Sequence, residues 1–522
     1  MQRQHGMNLH SFSEERQAAA SAGIEGATAT LAASDLVDAQ MPLPHRQFRF
    51  GRMFQNPPLA PFRPPTPQGL IDLGLAMENS PDTGSHPNLP AGFTYLSQFI
   101  AHDISFDQTQ GVPEGALTPE QIVQGRSPSL DLDSIYGMGP ELDRQLFQAD
   151  LIRLRVGATT PTLFGQAKTA LPNDLPRDPG NASNPRQAII GDARNDDNLA
   201  VAQTHLAFIR FHNAVADLLA KQGLFGKALY EATRVKVIQH YQWAVLHDFL
   251  PRILEAGVLA EVLKDGPRYF RLSAEDEPFV PVEFSFAAFR VGHSLIADVY
   301  EWNRVFQSPP QGFKAPAKLF DLFTFTGFSG NLQGSPTLPS NWVIDWTRFY
   351  DFSGLGLPNH PKFNRARKID TTLTGALKRI PGFLASVPKE YRSLAVLDLM
   401  RGRAVGLPTG QDVAARLGVT ALTPDQVAQG PHEKVLTDHG FQHETPLWYY
   451  LLKEAETLHA GERLGPVGSR IMAETLVGLI RASRVSILRQ AGWEPELGQR
   501  KSNQFGMADL LVLANVVNPL GS

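Results

Sequence analysis

Cysteine is absent from all 522 residues, which excludes disulfides and thiolate metal sites. Neither sign of charge is in excess. The 48 Lys and Arg against 52 Asp and Glu give a formal net charge of −4 with neutral histidines, so no broad basic surface for nucleic acid is implied. No apolar run reaches the roughly 18 residues that a membrane helix needs. The opening MQRQHGMNLHSFSEERQAAA lacks the charged head and hydrophobic stretch of a secretory signal. The expectation is a soluble protein, cytoplasmic or exported without an N-terminal signal, with no nucleic-acid partner and no membrane span. Strand-type alternation is scarce, and nothing repeats at a fixed period. No HExxH, GxSxG, Walker A or GxGxxG element opens a credible helix, which removes the zincin, common hydrolase and nucleotide-binding readings.

What is present is ample core material: 42% of residues are hydrophobic and 19% charged. Gly 44 and Pro 40 exceed the average usage of about 12% for the pair, predicting long irregular connections. Residues 1–45, rich in Ala, Ser and Gln, read as a partly mobile arm, and 46–522 as one large, mainly α domain with long loops and little β. Residues 56–90 carry dense Pro, Gly and Asn and read as ordered coil. Phe93, Leu96, Ile100 and Ile104 repeat at helical spacing. The same pattern marks Leu199–Leu219, Val235–Leu254, Phe286–Val299 and Ala473–Leu488 as helices. Segments 156–190 and 305–340 read as long loops with short hairpins.

Two histidines stand out by their neighbours. Gln98, four residues before His102, shares its helix face, while Asp103 points about 100° away. Arg290 and His293, three apart, share a face of an otherwise apolar segment, and a buried cation there needs a partner or an anionic ligand. Gly292 leaves room for a close approach. The pairs His205/His212 and His240/His247 are each spaced to share a helix face, but packing or surface roles suffice for them.

With these segments in order, the sequence resembles the animal-type haem peroxidases of the peroxidase-cyclooxygenase superfamily. The matching stretches are QFIAHD (98–103), LDLDSIYG (130–137), GDARNDDN (191–198), IRFHNAVADLL (209–219), FRVGHSLI (289–296), RGRAVGLP (401–408) and LGPVGSRIMAETLVGLI (464–480), collinear over most of 48–495. The cysteine-free composition is similar to the prokaryotic branch, related to the myeloperoxidase-like peroxidases. The resemblance implies haem b and calcium as cofactors, and hydrogen peroxide with small electron donors as reactants. It casts His102 as the distal acid-base group, Arg194 as the distal arginine that stabilises developing charge, and Gln98 as the residue ordering the pocket. It casts His293 as the proximal ligand of the haem iron, with Arg290 and Arg401 as partners of the haem propionates. For calcium it adds Asp103, Ser127 and Ser129 to Asp131 and Asp133, whose spacing in an extended stretch puts both carboxylates on one side.

Departures from the family pattern limit haem attachment. Ala101 removes one ester and Asn198 the sulfonium link that some members form, so the haem is expected to be non-covalent or held by one ester through Asp197. The family's proximal asparagine aligns with Asp398, whose carboxylate would raise the basicity of His293 and stabilise ferric iron. The leading reading is a peroxidase of small organic donors, with halides as further candidates. The alternatives are a fatty-acid dioxygenase of the cyclooxygenase type, which would carry a tyrosine where Arg290 stands, and a haem-binding module without turnover.

Overall fold

Apolar spacing shapes the long elements of the chain. The computed structural model describes residues 48–521, apart from 65, 110–115, 182, 273–276, 311, 380–388 and 499–501. The arm read at 1–45 lies outside the described residues. In chain order the elements that frame the site are β1 (Arg49–Gly51), α1 (Gln68–Asn79), β2 (Ser85–Pro90), α2 (Gly92–Ile104), α3 (Leu199–Lys221), α4 (Gly226–Ala244), β3 (Phe279–Pro281), β4 (Val299–Tyr300), β5 (Ala317–Lys318), β6 (Arg365–Arg367), α5 (Leu394–Ala404), α6 (Leu447–His459) and α7 (Pro466–Ala482). The strands form three two-stranded pairs, β1 with β3 in parallel, and β2 with β6 and β4 with β5 antiparallel. This is the mainly α architecture expected. One continuous hydrophobic core runs from Phe50 to Val516.

Several local expectations change. Residues 56–90 are not coil throughout, since they hold α1 and β2. Leu70, Leu73 and Met77 are buried at helical spacing behind the proline-rich lead. Gly74 lets α1 meet α5 closely, because a Cβ there would stand 2.6 Å from the Val396 amide nitrogen. The helix expected over 286–299 is instead a 3-10 segment, Ala288–Leu295. Side chains three apart eclipse in that geometry, so Arg290 and His293 still share a side. Helix α4 starts earlier than its apolar pattern and passes into a π turn, Val245–Phe249, just before Pro251. Helix α7 begins at Pro466 and stops at Ala482, where the Ser483 hydroxyl turns back to donate to the Leu479 carbonyl at 2.8 Å. The 156–190 stretch is loop pinned by isolated bridges such as Gly157 to Asp174 and Arg177 to Ala188. The 305–340 stretch carries a short helix, Leu319–Thr324.

Candidate active site

Helix α2 is buried on most of its surface, but Gln98, Ala101 and His102 form a partly exposed stripe that continues into Ser105 just past its end. These positions are three and four apart, so one face of a core helix opens onto accessible space. The His102 ring on that face is anchored through Nδ1, 2.8 Å from Asn195 Oδ1. Asn195 belongs to a 3-10 turn, Ala193–Asp196, that begins when the Asp192 carboxylate accepts from the Arg194 amide. Gln98 donates towards both Asp197 carboxylate oxygens at 3.3 Å and accepts from Asn198 Nδ2 at 2.9 Å. Asn198 meanwhile caps α3 by accepting from the Val201 amide at 3.0 Å. Burial pushes the Asp197 carboxyl up to about 7, against the opposing bonds from Asn198.

Arg194 is close to His102, but its donors are directed elsewhere. Nη2 donates to the His102 carbonyl at 2.9 Å and Nη1 to the Ser105 carbonyl at 3.0 Å, while Nε and Nη2 bind Asp192. The guanidinium lies 4.0 Å from the centre of the Phe106 ring. A residue expected to act on substrate charge is therefore engaged in bracing the free carbonyls at the C-terminal end of α2, where a cation is favoured. Asp192 is fully buried; desolvation would raise its carboxyl, but Arg126 and Arg194 outweigh that and hold it well below the ordinary range.

The proximal candidates meet as a triad. His293 Nδ1 is 2.6 Å from one oxygen of Asp398, and the Arg290 guanidinium binds the other. Burial works to raise the Asp398 carboxyl, yet His293 and Arg290 together hold it below its usual value. Ser393 caps α5 by accepting from the Val396 amide at 3.1 Å, and Glu78 of α1 accepts from the Ala395 amide at 3.2 Å, so the helix bearing Asp398 is fixed at its start. Arg290, expected to meet a propionate, is thus committed to Asp398. Arg401 differs: its Nη2 lies 3.3 Å from Asp107, and its buried Nη1 has no hydrogen-bond partner among the described residues. The 3-10 segment packs on α2 where Gly292 faces Ser97, and a Cβ at Gly292 would stand 3.2 Å from the Ser97 hydroxyl.

The acidic residues also converge. Asp103, Asp131 and Asp133 present carboxylate oxygens within 4.8 Å of one another. The stretch that brings them together is not extended, since Leu132 is left-handed with φ 59° and Asp133 opens a short helical turn. Oδ1 of Asp131 and of Asp133 are buried without hydrogen-bond partners among the described residues. Burial pushes Asp133 up to about 7, raises Asp131 and raises Asp103 well above its ordinary value, with mutual repulsion adding to the effect on Asp103 and Asp133. Buried acceptors that repel each other are chemically suited to a hard cation. Ser127 stays with the cluster, donating its amide to Asp133 at 3.0 Å and its hydroxyl to Asp131 at 3.2 Å. The Ser129 hydroxyl instead donates to Ser483 at 2.6 Å. Ser134, not singled out in the sequence, donates to Asp103 at 3.0 Å.

The family model for animal haem peroxidases matches residues 88–424. The chain belongs to the animal haem peroxidase family. It is 31% identical to human (Homo sapiens) thyroid peroxidase over 204 residues, 36% of this chain and 21% of that protein. It is also 31% identical to a peroxidasin homolog of Caenorhabditis briggsae over 135 residues, 25% of this chain and 10% of that protein. The chain thus spans at most about a fifth of the length of these two relatives. Two solved structures share the fold. Peroxidase A from Dictyostelium discoideum has a TM-score of 0.60 at 15% identity, covering 91% of this chain and 94% of that one. The fatty acid alpha-dioxygenase of Oryza sativa has a TM-score of 0.55 at 14% identity, covering 88% and 78%. No helix among the described residues is long and apolar enough to cross a membrane.

Family membership implies haem, and the residues present fit it. His293 has Nδ1 engaged by a carboxylate, which orients the ring so that Nε2 would be the nitrogen offered to iron, a common arrangement for metal-binding histidine. Arg401 holds an unspent buried donor suited to an anionic group. Two residues that the sequence reading passed over complete the surroundings of His102. Asn195 lies inside the GDARNDDN stretch and could have been noticed as a neighbour of Arg194. His205 showed only its helix-face spacing.

Proposed function

We propose that the protein is a haem-dependent peroxidase that uses hydrogen peroxide to oxidise small organic donors, with halides as further candidates. The observation that carries this reading is the pairing of His102 and His293, two half-open imidazoles on packed neighbouring elements, each oriented through Nδ1 by a different partner. Haem, when bound, supplies the iron at which peroxide is reduced. His293 serves as its ligand through Nε2, with Asp398 accepting from Nδ1. His102 takes a proton from peroxide at Nε2 and returns one to the departing oxygen as water. Gln98, fixed by Asp197 and Asn198, orders the group beside it. Arg194 contributes positive charge near His102 and braces the helix end that positions the ring. Arg401 takes a propionate, and Arg290 acts as counter-charge to Asp398. Calcium on Asp103, Asp131 and Asp133, with Ser127 beside them, holds α2 to the 127–133 loop. With Ala101 and Asn198 in place, the haem is extractable by acidified ketone unless Asp197 forms an ester.

The dioxygenase reading needs a phenol where Arg290 stands, and Arg290 is ion-paired there. A visible spectrum of the purified protein followed by peroxide addition tests the proposal. A Soret band that shifts with peroxide and recovers with a phenolic donor supports it; absence of a Soret band after haem loading, or a band that only bleaches, overturns it.

A further inference from the structure

The Asn195 side chain bridges two imidazoles. Its Oδ1 lies 2.8 Å from His102 Nδ1, and its Nδ2 lies 2.9 Å from Nδ1 of His205 on α3. Asn195 and His205 are wholly buried, so no bulk water substitutes for either contact. An amide oxygen can only accept and an amide nitrogen can only donate. The ring on the oxygen must therefore carry its proton on Nδ1, and the ring on the nitrogen must present a bare Nδ1. His102 then carries its lone pair on Nε2, the nitrogen able to accept a proton. Rotating the amide would reverse both rings and put a proton on His102 Nε2, which could then no longer accept one.

His205 is costly as packing alone. Its Nε2 is buried without a hydrogen-bond partner among the described residues, a cost that phenylalanine would avoid. Desolvation pushes its ring down to about 3, so it stays neutral and able to accept. Its ring lies 6.1 Å from that of Phe99, itself on α2 one residue from Gln98, so the bridge spans two elements of the site.

We propose that Asn195 is a positioning residue for His102, fixing the tautomer with its proton on Nδ1 and its lone pair on Nε2, and that His205 holds Asn195 in the required orientation. This rests on the reading of His102 as the acid-base group.

The test uses haem-loaded protein with 15N-labelled histidine, in the ferrous carbon monoxide form, which is diamagnetic. His102 signals are assigned through the His102→Ala variant. Wild type is expected to show His102 protonated on Nδ1 with a bare Nε2. Asn195→Ala is expected to show a mixture of tautomers. Its ferric form is expected to bind cyanide about 10–100-fold more slowly, the range for a misplaced group, because hydrogen cyanide must give its proton to His102 as the anion binds. His205→Phe keeps the ring volume, removes the acceptor and is expected to mix the tautomers as well; it carries the test alone if Asn195→Ala does not fold. A proton on His102 Nε2 in wild type, or identical His102 signals in wild type and His205→Phe, overturns the proposal. Wild-type cyanide binding and peroxide cleavage in His102→Ala would instead overturn the functional reading beneath it, whatever the tautomers show.

Discussion

His102, the proposed distal base, leans on a neutral amide, and the neighbouring Arg194 is spent on backbone carbonyls and Asp192. His293, the proposed proximal ligand, leans on a carboxylate that is itself paired with a guanidinium. The difference suits the tasks proposed for the two rings. A base that must take up and release a proton works best when its partner does not bind it more tightly in one state, and an amide carries no net charge. A ligand that must stay on a metal through changes of oxidation state is helped by a partner that increases its basicity. Arg290 moderates that help, since part of the Asp398 charge is already satisfied.

The comparison breaks most completely if His293 is replaced. His293→Ala should lose the Soret band altogether, or keep haem without a normal proximal ligand; a normal band with full turnover would remove His293 from its place. Next in size is the distal side. His102→Ala should keep haem and slow peroxide cleavage by about 10²–10⁴, the span for loss of a general acid-base group. Arg194→Ala should slow it less and should also lower the thermal midpoint, because one of the two arginines flanking buried Asp192 is gone. Stopped-flow rates beside a melting curve decide the matter. An Arg194→Ala protein as slow as His102→Ala but of unchanged stability would return Arg194 to direct charge stabilisation.

Calcium and pH form a third test. Burial holds His205 down at about 3, and His212 and His240 at about 4. The folded chain therefore binds fewer protons at these rings than the unfolded chain below about 6.5, and stability is lost as the pH falls through that window. At pH 5 the loss is about 2 kcal/mol per imidazole. The acidic cluster has the opposite sign when no cation is bound. Asp133, raised to about 7, makes the folded chain bind protons that the unfolded chain has released, so stability falls as the pH rises from about 4 to 7. Chelation should thus lower the thermal midpoint more at pH 7.5 than at pH 5. Equal losses at both pH values, or none, would dissociate the cluster from calcium.

The smallest effect separates the two members of the proximal pair. Asp398→Asn should raise the ferric/ferrous potential and Arg290→Gln should lower it, each on the order of 60 mV, equivalent to a tenfold change in a one-electron equilibrium. Spectroelectrochemical titration measures both signs. A shift in the same direction for the two variants would show that Arg290 does not act through Asp398.

Helix α2 was legible because Phe93, Leu96, Ile100 and Ile104 repeat at helical spacing, and that repeat also placed Gln98 and His102 together. The side shared by Arg290 and His293 was legible for an incomplete reason: separation by three works in a 3-10 segment as it does in an α-helix. The Asp131 and Asp133 pair was right about convergence and wrong about the backbone, because a left-handed leucine carries no sequence signal. What stayed hidden depends on ends and crossings. The fate of Arg194 is decided by carbonyls left free where α2 stops, and an apolar repeat says little about where they point. His205 gains its place from a turn that delivers Asn195 between two helices, a relation that helical periodicity within α3 cannot express. Helix α1 was missed because proline and glycine counts outweighed a short apolar repeat.

His102 and Asp103 are consecutive, one ring facing the half-open stripe and the other carboxylate buried in the acidic cluster. If His102 is the proposed proton-transfer group and Asp103 the proposed cation ligand, a single peptide unit joins them, and any coupling between the two occupancies must be reciprocal. If calcium tightens the hold on a haem ligand that leans on His102, that haem ligand tightens the hold on calcium by the same factor. The off-rate of calcium then becomes a gauge of the distal pocket, readable with a metal indicator and without any reducing substrate.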